Sequence, residues 1–179
     1  IDCLKKNSFV ADKRTMLRLQ SNKPLFGETP FALNEFTIHK KDSQSMIRIH
    51  TFVNGEYLTS YWADGLIVST PTGSTGYSLA VGGPIIAPSG SSFVISPIAP
   101  HNLNVRPIVI SDESVISFEV EGRSDNFLCT LDSRFEIIDN SFQLAVQRAD
   151  FKISLVRLPG RNFLSTLTKK LNWGVDSRN

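Results

Sequence analysis

The clearest alternation of apolar and polar positions runs from Met46 to Val53, where Ile47, Ile49, Thr51 and Val53 share one face and Met46, Arg48, His50 and Phe52 the other. A period of two predicts a half-buried strand. Asn54-Gly55 follows, and then a second run, Glu56 to Ala63, rich in β-branched and aromatic residues. Asn and Gly both tolerate the positive φ of a two-residue turn, so the two runs are expected to form a hairpin. Short apolar runs recur at Leu33 to Ile38, Gly65 to Val68, Phe93 to Ile98, Val105 to Ile110, Val115 to Val120, Phe127 to Leu131, Phe142 to Val146 and Phe151 to Leu155, with turn residues between them. This rhythm predicts a mainly β domain. Pro107 removes a ladder donor from its run and predicts an edge or irregular position.

Helical spacing is confined to the tail, where Phe163, Leu164, Leu167 and Leu171 predict a helix within about residues 161–174, with Gly174 available as a left-handed cap. Trp173 is expected to pack under it. A second, shorter helix is expected near Ser74-Thr75, whose hydroxyls could cap its amides. With 179 residues, 41% of them hydrophobic and 20% charged, one continuous globular domain over 1–179 is expected. A net charge of +2, with basic residues scattered as Lys5-Lys6, Lys40-Lys41 and Lys169-Lys170, argues against a nucleic-acid partner. Cys3 and Cys129 form no closely spaced pair, and no stretch approaches the roughly 20 apolar residues of a membrane span. A cytosolic protein without a membrane partner is expected. The sequence opens on Ile1 rather than methionine, as expected of a processed product, a fragment or an incomplete record.

Candidate chemistry is concentrated between Asp64 and Pro84, where a small apolar strand opens into a run of glycines and hydroxyls. Gly73 and Gly76 would let backbone approach a ligand, and Thr70, Thr72, Ser74, Thr75 and Ser78 offer groups that donate and accept, as adenine and ribose edges require. A helix starting near Thr75 would also favour a diphosphate. The run is neither a Walker loop nor a Gly-x-Gly-x-x-Gly loop. His39, His50 and His101 share no ligand spacing and predict no metal site. Asp112-Glu113, between two apolar runs, is expected to be a polar turn. Tyr61, Trp62 and the phenylalanines are expected in the core.

The order Asp-Gly-Leu-Ile-Val-Ser-Thr-Pro-Thr-Gly-Ser-Thr-Gly-Tyr, Asp64 to Tyr77, strongly resembles the signature of the NAD kinase family. Asn34-Glu35 upstream, Pro97 to His101 with Val105-Arg106-Pro107 downstream, and the ending Lys170 to Gly174 resemble further blocks of that family in the same order. The resemblance implies a β-sandwich-like C-terminal domain with a short terminal helix. It also implies phosphorylation of the adenosine ribose 2′-hydroxyl of NAD to NADP, with ATP and magnesium or another divalent metal. By resemblance Asn34 contacts adenine, Glu35 accepts from ribose hydroxyls, and Thr72, Thr75, Gly76 and Tyr77 surround the dinucleotide. Asp64 resembles a residue that reaches the nicotinamide end from a neighbouring subunit, and His101 is a further candidate for lining the site. A homodimer or homotetramer with shared sites is implied.

Three departures qualify the match. Gly-Gly-Asp-Gly, whose aspartate is by resemblance the base, is missing from the chain, which leaves the catalytic residue unassigned. Ala80 stands where many members carry a serine, and Asp132-Ser133 where the family often has Asp-Gly, so strain is expected at that turn. The leading expectation is therefore the NAD-binding half of an NAD kinase. A non-catalytic dinucleotide module and a carbohydrate or adhesion sandwich remain as alternatives, and a lipid kinase of the diacylglycerol type fits less well.

Overall fold

The computed structural model describes residues 5, 8–41 and 45–173. Twelve strands form two antiparallel six-stranded sheets among them. The first runs in the order β2 (Phe31–Ala32), β1 (Val10–Ser21), β12 (Leu144–Arg157), β9 (Ile116–Glu121), β4 (Ile47–Val53) and β5 (Glu56–Ala63). The second runs β11 (Arg134–Ile138), β10 (Phe127–Leu131), β3 (Glu35–Lys40), β6 (Gly65–Ser69), β7 (Ser92–Ile98) and β8 (Ile108–Ser111). Their inner faces meet in one core. Leu17, Ile49 and Phe118 come from the first sheet and Phe36, Leu66 and Phe93 from the second, and the rings of Phe36 and Phe118 stack at 5.4 Å between centroids. The mainly β, two-layer expectation holds.

The β4–β5 hairpin forms at the expected place, with Asn54 at φ 53° and Gly55 at φ 82°. Ile47, Ile49 and Thr51 are buried on one face while Arg48 on the other is exposed. Pro107 lies outside the strand, and β8 begins only at Ile108, on the edge of its sheet. The runs expected at Phe142 and Phe151 are one 14-residue strand, β12. Its first half joins β9, whereas its second half pairs with β1 alone, from Thr15↔Lys152 to Val10↔Arg157, beyond a register shift. A two-stranded ribbon therefore projects past the sandwich.

The tail helix, α2 in chain order, spans Phe163–Leu171, and its N-terminus is capped by Asn162, whose side chain accepts from the Ser165 amide. Asn172, at φ 52°, supplies the left-handed cap expected of Gly174, which lies outside the described residues, as does Cys3. Asn is the non-glycine residue best suited to that conformation. Trp173 does not pack beneath the helix but is 56% exposed. Asp112 is no ordinary turn residue either: its carboxylate is buried and accepts from Arg148 Nη1 at 2.9 Å, tying the end of β8 to β12. A carboxylate taken out of water needs such a partner. No helix among the described residues is long and apolar enough to cross a membrane.

Candidate functional site

β3 and β6 are adjacent in the second sheet, with Glu35 opposite Ser69 and His39 opposite Gly65. Asn34-Glu35 thus lies at the end of β6 from which the hydroxyl-rich loop departs. β6 is buried along its whole length, which explains its continuous apolar run. The loop folds back over it as a 3-10 turn, Gly73–Thr75, and a single turn of helix, α1 (Tyr77–Ala80). This replaces the expected capped helix at Ser74-Thr75. Neither hydroxyl caps it, and four residues are too few to build an N-terminal anion site.

The loop hydroxyls divide into two sets. Thr70 Oγ1 donates to the Leu33 carbonyl at 2.6 Å and accepts from the Gly73 amide. Ser74 Oγ donates to the Pro71 carbonyl and accepts from the Ile86 amide, and Ser78 Oγ meets Ser96 Oγ on β7 at 3.0 Å. These three are buried and brace the loop, contrary to the expectation that they face a ligand. Thr72, Thr75, Gly76 and Tyr77 remain at the surface. Thr72 Oγ1 accepts a long 3.4 Å bond from Arg14 Nη1 on β1. Ala80 is exposed.

Glu35 sits beneath this surface. Its Oε2 is buried without a hydrogen-bond partner among the described residues, and a methyl group on Gly76 would stand 3.5 Å from it. Burial, and then the nearby Asp132 carboxylate, raise the Glu35 pKa to about 7. A half-ionised carboxyl group with an open lone pair suits a ligand bearing hydroxyl donors. Ser69 Oγ, on the residue opposite Glu35, is buried and unpartnered as well.

Asp132 places both Asn34 and Glu35. Its Oδ2 accepts from the Leu33 amide at 2.8 Å, and its Oδ1 from the amides of Asn34 at 2.8 Å and Glu35 at 3.1 Å. Asp132 itself takes the left-handed conformation, φ 53°, in the two-residue turn between β10 and β11. The strain expected at Ser133 is absent, because the left-handed position falls on Asp132, a residue type that tolerates it. Neither Asp132's role nor Arg14's was anticipated. Asp132 is brought in by the pairing of β10 with β3 across about a hundred positions of sequence, and Arg14 from the opposite sheet across about sixty, which no local pattern announces.

Gly73 and Gly76 serve different ends. A methyl group on Gly73 would lie 2.1 Å from the Asn34 carbonyl oxygen, so the absent side chain admits the Asn34 backbone rather than a ligand. On Gly76 it would stand 3.2 Å from the Gly73 carbonyl and 3.5 Å from Glu35 Oε2, with φ at −101°. Gly73→Ala is therefore expected to cost about 1–3 kcal/mol of stability by prising the loop from β3. Gly76→Ala is expected to stay within about 0.5 kcal/mol of the parent. Urea unfolding of the two variants checks this, and equal losses would contradict it.

Asp64 and His101 stand apart from this group. Asp64 immediately precedes β6 at its far end, roughly 17 Å from the loop at the usual rise per residue. Its carboxylate pairs with Lys40 Nζ at 2.7 Å. His101 stacks on Trp62, centroids 4.3 Å apart, and its amide donates to the Trp62 carbonyl. Trp62 is thus a half-exposed platform on the edge strand β5, not the core residue expected, while Tyr61 is buried as expected. His39 and His50 are held by the Lys40 carbonyl and Ser60 Oγ. Burial pushes the Cys129 thiol up to about 12, where it is inert. No group of three His, Cys, Asp or Glu among the described residues could hold a metal ion.

The two-sheet architecture is that of the NAD(H) kinases. A yeast NADH kinase complexed with NADH superposes with a TM-score of 0.83 at 24% identity, over 92% of this chain and 51% of that one. An NAD kinase from Archaeoglobus fulgidus in complex with ATP does so with a TM-score of 0.77 at 23% identity, over 96% of this chain and 63% of that one. The model of the ATP-NAD kinase C-terminal domain matches residues 33–158, and the chain belongs to that family. It is 55% identical over its full length to the NAD kinase of Cytophaga hutchinsonii and 51% identical over 96% of its length to that of Flavobacterium johnsoniae. It spans about three fifths of the length of these curated relatives, 61% and 59%.

Proposed function

We propose that this chain is the dinucleotide-binding half of an enzyme that transfers the γ-phosphoryl group of ATP to the 2′-hydroxyl of the adenosine ribose of NAD, giving NADP and ADP. The observation that carries the reading is the buried Oε2 of Glu35, without a partner among the described residues, beneath the surface formed by Thr72, Thr75, Gly76 and Tyr77. The Glu35 carboxylate accepts from vicinal ribose hydroxyls and fixes the orientation of the 2′-oxygen. Asn34, held through its backbone by Asp132 and Thr70, presents a side-chain amide to the adenine edge. Thr72, Thr75, Gly76 and Tyr77 close over the dinucleotide. In the reaction the 2′-oxygen forms a bond to the γ-phosphorus as the bond to the ADP oxygen breaks, and the hydroxyl proton passes to a base.

The sequence contains no Gly-Gly-Asp-Gly, so that base is assigned to the part of the protein that the longer relatives possess. Magnesium bound with ATP would neutralise charge on the transferring group. The described residues contain no ligand cluster for it, and the side chains here bind and orient. In this reading Asp64, before the opposite end of β6, reaches the nicotinamide end of a dinucleotide bound to a neighbouring subunit in a homodimer or homotetramer, and His101 is a further candidate for lining the site. We assign the protein to the cytoplasm.

Calorimetric titration of the chain with NAD and NADP tests the reading, at protein concentrations that keep an oligomer assembled. Saturable binding that weakens by about 1–3 kcal/mol in Glu35→Ala is the expected result. Absence of binding in the parent, or binding indifferent to that substitution, would overturn it.

A further inference from the structure

Beneath the loop, the pairing of β3 with β6 sets a second polar side chain beside Glu35. The Thr70 amide donates to the Asn34 carbonyl at 2.9 Å and the Lys40 amide to the Asp64 carbonyl at 2.8 Å. Hydrogen-bonded and non-hydrogen-bonded pairs alternate along this antiparallel register, so Glu35 and Ser69 form a non-hydrogen-bonded pair. Such a pair approaches to about 4.5 Å between Cα atoms, with its side chains side by side on one face. Phe36 and Val68, next along each strand, belong to the core, so Glu35 and Ser69 point the other way, under the loop. Ser69 is fully buried there. On its other flank stands Val94 of β7, and two positions earlier on its own strand Ile67, both apolar and buried. Glu35 is therefore the polar one of its two direct cross-strand neighbours. Thr70, Ser74, Ser78 and Ser96 all have hydrogen-bond partners. Ser69 Oγ has none among the described residues, and neither has Glu35 Oε2. A hydroxyl taken out of water and left unpaired is costly. Two such atoms on one cross-strand pair can satisfy each other.

We propose that Ser69 is a positioning residue for Glu35: as the carboxyl group ionises, the Ser69 hydroxyl turns about its side-chain bond and donates to it. One lone pair of the carboxylate is then held by the fold, and those that remain are aimed at the ligand. Only the identity of that ligand, a ribose with two hydroxyls, rests on the function proposed above. Asp132, in the β10–β11 turn, is the charge that acts on Glu35 through space, and together with burial it favours the neutral carboxyl group. Tyr77 is the titratable side chain of the loop above, and Arg14 reaches that loop from β1 at Thr72. A hydrogen bond donated to the charged form opposes both pressures on Glu35. Ser69 thereby lets a carboxylate form where its surroundings discourage one.

The test follows the Glu35 side-chain carboxyl carbon by NMR through a pH titration of the 179-residue chain without ligand. Its midpoint is expected to rise by about 0.5–1 pH unit in Ser69→Ala, which removes the donor, and to stay with the parent in Ser69→Thr, which keeps it. Ser69→Cys, with a weak thiol donor in the same place, should raise it as well and carries the test if the alanine variant does not fold. Calorimetric titration with NAD gives a second readout. Ser69→Ala should weaken binding about threefold at pH 7 and have no effect in a Glu35→Gln background, because the two side chains act as one unit. A Glu35 midpoint unmoved by Ser69→Ala and Ser69→Cys, or moved equally by all three substitutions, overturns the proposal. So does an equal loss of NAD affinity in both backgrounds, which is the mark of a packing role. If the midpoint moves as expected while the parent does not bind NAD, the pairing stands and the proposed function fails. If NAD binds through Glu35 and the midpoint does not move, the pairing fails alone.

Discussion

Asp132→Ala is expected to lower the unfolding free energy by about 2–4 kcal/mol and to abolish measurable dinucleotide binding, although by our reading Asp132 touches no ligand. The stability loss follows from three amides, those of Leu33, Asn34 and Glu35, whose common acceptor disappears. An unsatisfied buried donor costs about 1–3 kcal/mol, and water can reach this half-buried segment, so the total falls short of three full penalties. Alanine is also strained at φ 53°, where aspartate is tolerated. The affinity loss follows from geometry: the segment that presents Asn34 and Glu35 is no longer fixed against the β10–β11 turn. Asp132→Asn should do less harm, since it tolerates the same backbone and keeps one acceptor oxygen. Chemical denaturation and NAD titration of both variants check this. An alanine variant that binds NAD like the parent would show that Asp132 does not position the site.

Most of the layer structure could be read directly along the chain. Where one strand face meets the core and the other meets water, as in Ile47 to Val53, burial writes itself into the alternation. β6, buried on both faces, is legible as a continuous apolar run. β1 escaped notice because Arg14 and Arg18, on the face away from the core, interrupt the apolar signal; yet Thr15, Leu17 and Leu19 are buried at every second position. β11 is an edge strand whose Phe135 and Ile137 are exposed, so its pattern does not report the core. The site divides in the same way. The loop and Asn34-Glu35 announce themselves by residue type and order. Which hydroxyls face outward does not, because Thr70, Ser74 and Ser78 become braces only once Leu33, Ile86 and Ser96 are brought beside them. Asp132 is farther still from local reading, since its role exists only through the pairing of β10 with β3.

NAD affinity is expected to rise about tenfold between pH 6 and pH 8 and to lose that dependence in Glu35→Gln. Burial and the Asp132 carboxylate hold the Glu35 pKa at about 7, above its ordinary 4.5. The ionised form, which accepts from two hydroxyls, therefore grows from about a tenth to about nine tenths of the population across that range. The stability of the unliganded fold must run the other way. A carboxyl group whose pKa is raised by folding stabilises the native state below its unfolded value, near 4.5, and that contribution is lost as pH rises through 7. Glu35→Gln should therefore melt at a higher temperature than the parent at pH 8 and at nearly the same temperature at pH 4.5. The charge that aids the ligand burdens the empty fold, as expected of a group retained for binding rather than packing. Asp132→Asn supplies the internal control, because removing that neighbouring charge should move the midpoint of the affinity profile to lower pH. A pH-independent affinity in the parent, or a Glu35→Gln variant less stable than the parent at pH 8, would refute the assignment of this carboxyl group as the ribose acceptor.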